Sequence, residues 1–528
     1  MKTPVIDLFA GPGGLSEGFA AYTGATSFDV VLSVEKDDAA HKTLELRSFF
    51  RQFPKGKAPE AYYDYIRGSG SCSREQLFDR QAEQRDAARR IAYKATLGTT
   101  PLREVLKKID DALGTAEQWA LLGGPPCQAY SIIGRARMKG SNEFANDHRH
   151  TLYREYLKIV AAYQPTIFVM ENVKGILSSK HRDEAIFGRI LADLRDPWGS
   201  LRAADKRLLP TPRSRHGYRI FSFVKSVTWE EELEPNDFII ESERFGVPQK
   251  RHRVILLGIR EDVNLLPSVL ECAAAEVSVR DILQGLPKIR SRLSSGETDT
   301  KGWIRAINDG RSAFRSGMTV ELSDRIRRSI DSLTEALTPG GRFIPGIFPP
   351  VKLRNWLFDE RLRGVVQHES RSHMASDLHR YMFASCYAEK YSRSPKLDDF
   401  PKKLMPNHAN AVPDSSGRIE DFCDRFRVQM WGQASTTVTA HISKDGHYFI
   451  HPDPTQCRAL TVREAARLQT FPDNYFFEGN RTQQYQQIGN AVPPFLAYQL
   501  ADVVAEILAA KTKCAGTGAL VNVRQVAS

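Results

Sequence analysis

The sequence predicts an α/β protein: a mostly parallel sheet with helices on both faces, joined to a second, irregular α+β region. Two observations carry this. Apolar runs of strand length recur, each closed by Gly, Pro or acidic residues, and helical stretches separate them; this alternation builds βαβ units. The rhythm then stops between about 260 and 430 and returns afterwards. At 528 residues the chain also exceeds what one core usually holds.

PVIDLF (4–9) reads as a first strand ending in the turn GPGG (11–14), before a helical LSEGFAAY. DVVLSVE (29–35) is a second strand with an acidic end. Residues 47–95 are polar and charged, and read as a surface helix or extended insert. WALLGG (119–124) and TIFVMENV (166–173) are further strands. Between them TLYREYLKIVAAY (151–163) carries Leu152, Tyr156, Ile159 and Tyr163 at helical spacing. A second insert, 178–226, holds Arg202, Lys206, Arg207, Arg213, Arg215 and Arg219 against one acid, Asp205. DFIIESE (237–243) and VILLGI (254–259) resume the strands. The next part has Pro/Gly turns such as LTPGGRFIPGIFPP (337–350), and Trp303, Trp356 and Trp431. TVTAHI (437–442), LTVREAARLQTF (460–471) and a helix, FLAYQLADVVAEILAA, close the pattern; Leu496, Leu500, Val503 or Val504, and Ile507 share one helix face. The expected division is 1–259 (inserts near 47–95 and 178–226), 260–435, a return over 436–511, and a flexible tail at 512–528.

Composition narrows the function. Hydrophobic residues at 41% and charged residues at 26% are ordinary for a globular chain. Lys and Arg exceed Asp and Glu by 74 to 63, so +11 favours a polyanionic partner. No apolar run is long enough for a membrane span and no secretory leader is visible, so a membrane role is not expected. Seven cysteines without a CxxC pair argue against a disulfide framework or a zinc module, and point to a reducing cytoplasm. His441, His447 and His451 lack a fourth ligand and read as strand residues, so no metal is expected.

Five motifs carry chemistry. DLFAGPGG (7–14) brings backbone close to a ligand at a strand end, and Glu35 ends the next strand, where a carboxylate can accept ribose hydroxyls. The spacing is not GxGxxG, so a nicotinamide site fits poorly; a purely structural turn is the competing reading. In GGPPCQAYS (123–131) two prolines fix the backbone before Cys127 at a strand's carboxyl end. In MENVKG (170–175) Glu171 ends a buried strand, where burial raises a carboxyl pKa and favours proton donation, or where it serves as a cap. In QKRHRV (249–254) Arg251 and Arg253 alternate, and can brace a carboxylate, contact a base, grip a phosphate, or form an exposed basic edge. QIGNAVPP (487–494) is a tight turn that can close over a cofactor.

In this order the motifs resemble the cytosine-C5 DNA methyltransferase family, over residues 4–176, roughly 237–259 and roughly 436–511. DHRHTLY (147–153) and RALTVREAARLQTFPDNY (458–475) are similar to further family segments. The resemblance implies a Rossmann-like catalytic domain that moves a methyl group from S-adenosylmethionine to carbon 5 of cytosine in duplex DNA. It implies Cys127 as the nucleophile on carbon 6, Glu171 as the group at N3, and Arg251 and Arg253 as supports of base and carboxylate. It implies cofactor contacts at Phe9, Ala10, Gly11, Pro12, Gly14, Glu35, Lys36, Pro126, Leu152, Asn490 and Val492. The base is expected to flip out of the helix, with the segment after Cys127, including Arg135, Arg137 and Lys139, closing over DNA. Residues 260–435 are expected to read the sequence.

Two departures stand out. The family's acidic adenine contact after the third strand has no match, and the 178–226 stretch is long. A monomer is expected, with a cognate restriction endonuclease or other defence proteins as candidate partners. A tRNA cytosine methyltransferase, a non-catalytic DNA-binding relative and a nicotinamide dehydrogenase are the competing readings. The last leaves PPCQ and ENV unexplained.

Overall fold

The computed structural model describes residues 2–70, 72–126, 149–178, 180–181, 184–228, 231–296, 299–314, 317–407, 423–513 and 521–522. Its centre is an eight-stranded sheet. Five strands are parallel: β1 (Thr3–Leu8), β2 (Phe28–Glu35), β3 (Ala92–Lys94), β4 (Ala120–Gly123) and β5 (Ile167–Val173), in the order β3-β2-β1-β4-β5. The strand His252–Arg260 lies antiparallel beside β5, and Tyr218–Ser222 and Ile239–Glu241 pair antiparallel with it.

Both faces are covered, which explains why the strands read as nearly continuous apolar runs. One face packs the helices Leu102–Leu113, Arg149–Tyr163 and Ile186–Arg195, around Ile109, Tyr156, Val160 and Leu194. The other packs α1 (Gly14–Ala21) and the last helix, Pro494–Lys513, around Phe19, Leu496, Leu500 and Ile507. By length and composition the stretch Arg481–Thr512 is apolar enough to cross a membrane, but 72% of its most apolar window is buried within the protein.

Several segments differ from expectation. The 47–95 stretch is not simply a surface insert. After α2 (Asp38–Arg51) it folds into helices Glu60–Arg67, Arg74–Asp79 and Ala82–Ile91, and delivers edge strand β3. Tyr62, Tyr63, Ile66, Leu77 and Phe78 build a core there with Leu362, Val366 and Phe476. Likewise Tyr218–Ser222, inside the second insert, is a sheet strand. His441, His447 and His451 are not strand residues: the two-residue strand Ser435–Thr436 pairs with Gln249–Lys250, His441 lies in the 3-10 turn Ala440–Ser443 that follows, and His447 and His451 lie outside any strand. The stretch beyond 511 is not wholly a free tail, because Val521–Asn522 pairs with Leu265–Leu266. Such pairing uses backbone groups, which leave no side-chain pattern.

Between 260 and 435 the chain also contributes to two further cores. Val279, Ile282, Leu357 and Val365 pack with Leu460, Ala465, Leu468 and Ile488. Trp303, Ile326, Leu378, Tyr381 and Phe383 form a helical core with Phe426 and Ile450.

Candidate active site

A cavity of about 1100 Å³ opens at the carboxyl ends of the parallel strands, beside β1, where strand order reverses and open α/β sheets bind ligands. Phe9, Ala10, Gly11, Pro12, Gly14, Glu35, Lys36, Pro126, Leu152, Asn490 and Val492 all line it, as do Glu171, Arg251 and Arg253. Cys127 and the following segment with Arg135, Arg137 and Lys139 lie outside the described residues.

One wall is the loop after β1. Phe9 (φ 59°), Gly11 (57°) and Gly13 (94°) take left-handed backbone and turn the chain sharply into α1. A Cβ on Gly14 would stand 2.3 Å from the Val492 carbonyl oxygen, so the GNAVPP turn closes directly against this loop. Glu35 accepts backbone N–H bonds from Gly11 (2.8 Å), Lys36 (2.8 Å) and Asp37 (2.7 Å). A carboxylate has about four lone-pair sites, so Glu35 both shapes the loop and keeps acceptor capacity for a ligand.

Asp7 forms part of the floor and was not singled out in the sequence. It has no exposed surface, and among the described residues neither carboxylate oxygen has a hydrogen-bond partner. The nearby Ser16 hydroxyl donates instead to the Gly13 carbonyl. Burial outweighs the neighbouring Ser16 dipoles and, with the charge of Glu35, pushes the Asp7 carboxyl up to about 7.

The opposite wall is built from β4 and β5. Glu171 Oε1 lies 2.9 Å from Arg253 Nε, while Oε2 faces Gly124, where a Cβ would stand 3.2 Å away. Asn172, also unforeseen, donates from Nδ2 to the Pro125 carbonyl at 3.3 Å and accepts the Val173 N–H at 2.9 Å. The ENV strand end thus ties down the Pro-Pro turn.

Arg251 and Arg253 are not an exposed basic edge. Arg251 is 1% exposed and donates from Nη1 to the carbonyls of Val438 (3.0 Å) and Gly489 (3.1 Å). Arg253 bonds the His252 carbonyl at 2.8 Å. Burial works against both guanidinium charges; the Arg253 charge adds to this at Arg251, and Glu171 opposes it at both.

Residues 95–99 (ATLGT), which follow β3, also line the cavity, without a carboxylate. Gln483, Gln486 and Gln487 of the helix Arg481–Asn490 complete the lining. In the sequence β3 was hidden inside the supposed insert, so its following loop could not be assigned. The basic cluster does not line the cavity: Arg202 pairs with Asp205, and Arg215 lies over the Trp198 ring. His447 and His451 are buried and hydrogen-bonded, the former to the Tyr381 hydroxyl and the latter to the Asp453 N–H.

Residues 81–197 and 354–506 match the family model described as C-5 cytosine-specific DNA methylase. The type II methyltransferase M.Bpa9945I of Bacillus paralicheniformis is 32% identical, over 96% of this chain and 99% of that protein. The type II methyltransferase M.AgeI of Thalassovita gelatinovora is 26% identical over 96% of this chain and 99% of its own length. A crystal structure described as a DNA modification methyltransferase encoded within an E. coli prophage superposes with a TM-score of 0.50. It covers 96% of this chain and 99% of its own at 19% identity, a likeness of fold.

Proposed function

From the premise that this chain belongs to the C-5 cytosine-specific DNA methylase family and is a cytosine-5 DNA methyltransferase, we propose that it acts within a specific duplex sequence, flips the target base, and works through a covalent bond from Cys127 to carbon 6. The names of the type II relatives support a place in a bacterial restriction-modification or phage-defence system, and within that reading the chain is proposed to act as a cytoplasmic monomer alongside a cognate endonuclease. The segment 260–435 is the proposed reader of the target sequence.

The residues fit S-adenosylmethionine. An orphaned buried carboxyl at Asp7 suits a cationic ligand, Glu35 suits ribose hydroxyls, and the 9–14 turn offers backbone. Phe9, Pro126, Leu152 and Val492 supply apolar lining, and Asn490 and Lys36 the rim. When bound, the cofactor supplies an electrophilic methyl group on a sulfonium.

Carbon 5 of cytosine is too weak a nucleophile alone. Addition of the Cys127 thiolate to carbon 6 makes carbon 5 enamine-like, with negative charge developing towards N3. Glu171 is the group to hold a proton at N3, and Arg253 fixes its carboxyl. Asn172 fixes the turn that carries Cys127. Arg251 works at one remove, pinning the backbone at Val438 and Gly489. After carbon 5 is methylated, loss of its proton to a base and departure of the cysteine sulfur restore the 5,6 double bond.

The single observation that carries this reading is the shared cavity: Glu171 with Arg253, and the Asn172-held Pro-Pro turn, face the loop with Glu35 and Asp7. The test uses labelled S-adenosylmethionine with duplex DNA and tRNA. Methylation of cytosine in duplex DNA is expected, lost in Cys127→Ala with cofactor binding retained, together with a trapped adduct on a 5-fluorocytosine duplex. Transfer to tRNA alone, or normal transfer by Cys127→Ala, would overturn it.

A further inference from the structure

The 11–14 loop does not hold its shape alone. Tyr475, 1% exposed, donates its hydroxyl to the Pro12 carbonyl. Its ring stacks under Arg47, whose guanidinium carbon is 4.7 Å from the ring centroid. Arg47 in turn donates to Glu17 of α1 from Nε at 2.8 Å and to Asn474 Oδ1 at 2.9 Å. The hydroxyl, the guanidinium and α1 thus form one packed unit around the turn.

The 471–475 segment is itself anchored on the far side. Arg463, with no exposed surface, donates to the carbonyls of Pro472 (3.1 Å), Tyr475 (2.6 Å) and Val366 (3.0 Å). Asn474 Nδ2 donates to Asp359 at 2.6 Å. Asp473 pairs with Arg467 at 2.8 Å, and its N–H reaches the Leu357 carbonyl. The segment that carries the donor to Pro12 is therefore braced by Leu357, Asp359 and Val366 of 260–435 together with Arg463 and Arg467.

We propose that Tyr475 is a positioning residue for the methyl donor: its bond to Pro12 sets the 11–14 turn, so cofactor affinity depends on a segment braced by the target-reading region. This rests on the reading of the cavity as the S-adenosylmethionine site. Pro12 has no N–H and a fixed φ, so ψ, which sets its carbonyl direction, is the one soft backbone angle it keeps. A hydrogen bond on that carbonyl favours the one orientation of the turn in which the Gly11 N–H meets Glu35 and the Gly13 N–H meets the Ala10 carbonyl, and so holds the loop that lines the cavity.

The test is calorimetric binding of S-adenosylmethionine to the free protein, with steady-state methylation beside it. Tyr475→Phe keeps the ring under Arg47 and deletes the hydroxyl. The expected result is a Kd and cofactor KM raised about tenfold, the scale of one lost buried hydrogen bond, with kcat at saturating cofactor within about twofold. Tyr218→Phe is the control, because its residue is also 1% exposed but its hydroxyl bonds the Pro165 carbonyl at 2.7 Å, outside both the loop and its brace. It should lower the melting temperature without moving Kd. A Kd for Tyr475→Phe within twofold of wild type, or an equal rise in Tyr218→Phe, would overturn the proposal. If wild type itself fails to bind, the cavity assignment falls instead.

Discussion

The Asp7 carboxyl lies under the cofactor loop, and burial lifts its pKa to about 7, whereas an unfolded aspartate titrates near 3.9. Folding therefore favours the neutral acid. The stability this contributes is full below pH 4 and is lost as pH rises through 7, up to roughly 4 kcal/mol at about 1.4 kcal/mol per pH unit. Asp7→Asn cannot titrate, so its urea stability should exceed wild type at pH 8.5 and converge with it near pH 4. Parallel profiles would mean the carboxyl is not held neutral. A cationic ligand reverses the preference, and Asp7→Asn should bind S-adenosylmethionine more weakly. Asn172 makes a different prediction. Its amide orients the Pro125 carbonyl, two residues before Cys127. Asn172→Ala should slow single-turnover methylation on the order of 10–100-fold, as small misplacements of reacting groups do, while cofactor Kd stays put.

Close approaches between segments decide which substitutions the framework tolerates. A Cβ on Gly489 would stand 2.2 Å from the Ala440 nitrogen and 2.3 Å from the Thr439 carbonyl carbon. Backbone cannot yield as a side chain can. Gly489→Ala should therefore cost about 1–3 kcal/mol in chemical denaturation. It should also impair methylation, because Val438 and Gly489 supply the two carbonyls that hold Arg251. That contact shows what could be read beforehand. Strand ends with glycine, proline and acid were legible, because turn chemistry is written locally: DLFAGPGG, GGPPCQ, ENV and QIGNAVPP all reach one cavity. The burial of Arg251 was not, since its acceptors lie 187 and 238 residues away. Nor was β3, three residues long, whose place comes from the backbone of β2. Asp7 was visible as an acid inside an apolar strand, VIDLF, and that anomaly was its one signal.

Four buried histidines, His368, His373, His447 and His451, make the fold sensitive to acid. His368 bonds Thr461 and the Pro287 carbonyl, and burial pushes its pKa down to about 4. His451 is pushed to about 3 by burial and by Arg458. Burial also lowers His373 and His447. His373 Nε2 and His451 Nδ1 each accept a backbone N–H, from Ala459 and Asp453, which a protonated nitrogen cannot do. Around them stand Arg371, Arg425, Arg458 and Arg481, opposed by Glu464, Asp445 and Asp453. Because the folded values lie below the unfolded 6.5, the unfolded chain binds more protons between them. Stability is then full above pH 6.5 and falls as pH drops through 4. In an Asp7→Asn background, which removes the opposing contribution of that carboxyl, equilibrium denaturation should show a loss of several kcal/mol between pH 7 and pH 4.5, ahead of general carboxylate protonation. His451→Gln keeps a side-chain acceptor near the Asp453 N–H and removes one titrating group, so its pH slope in that window should be shallower by about one proton. An unchanged slope would place the acid sensitivity elsewhere.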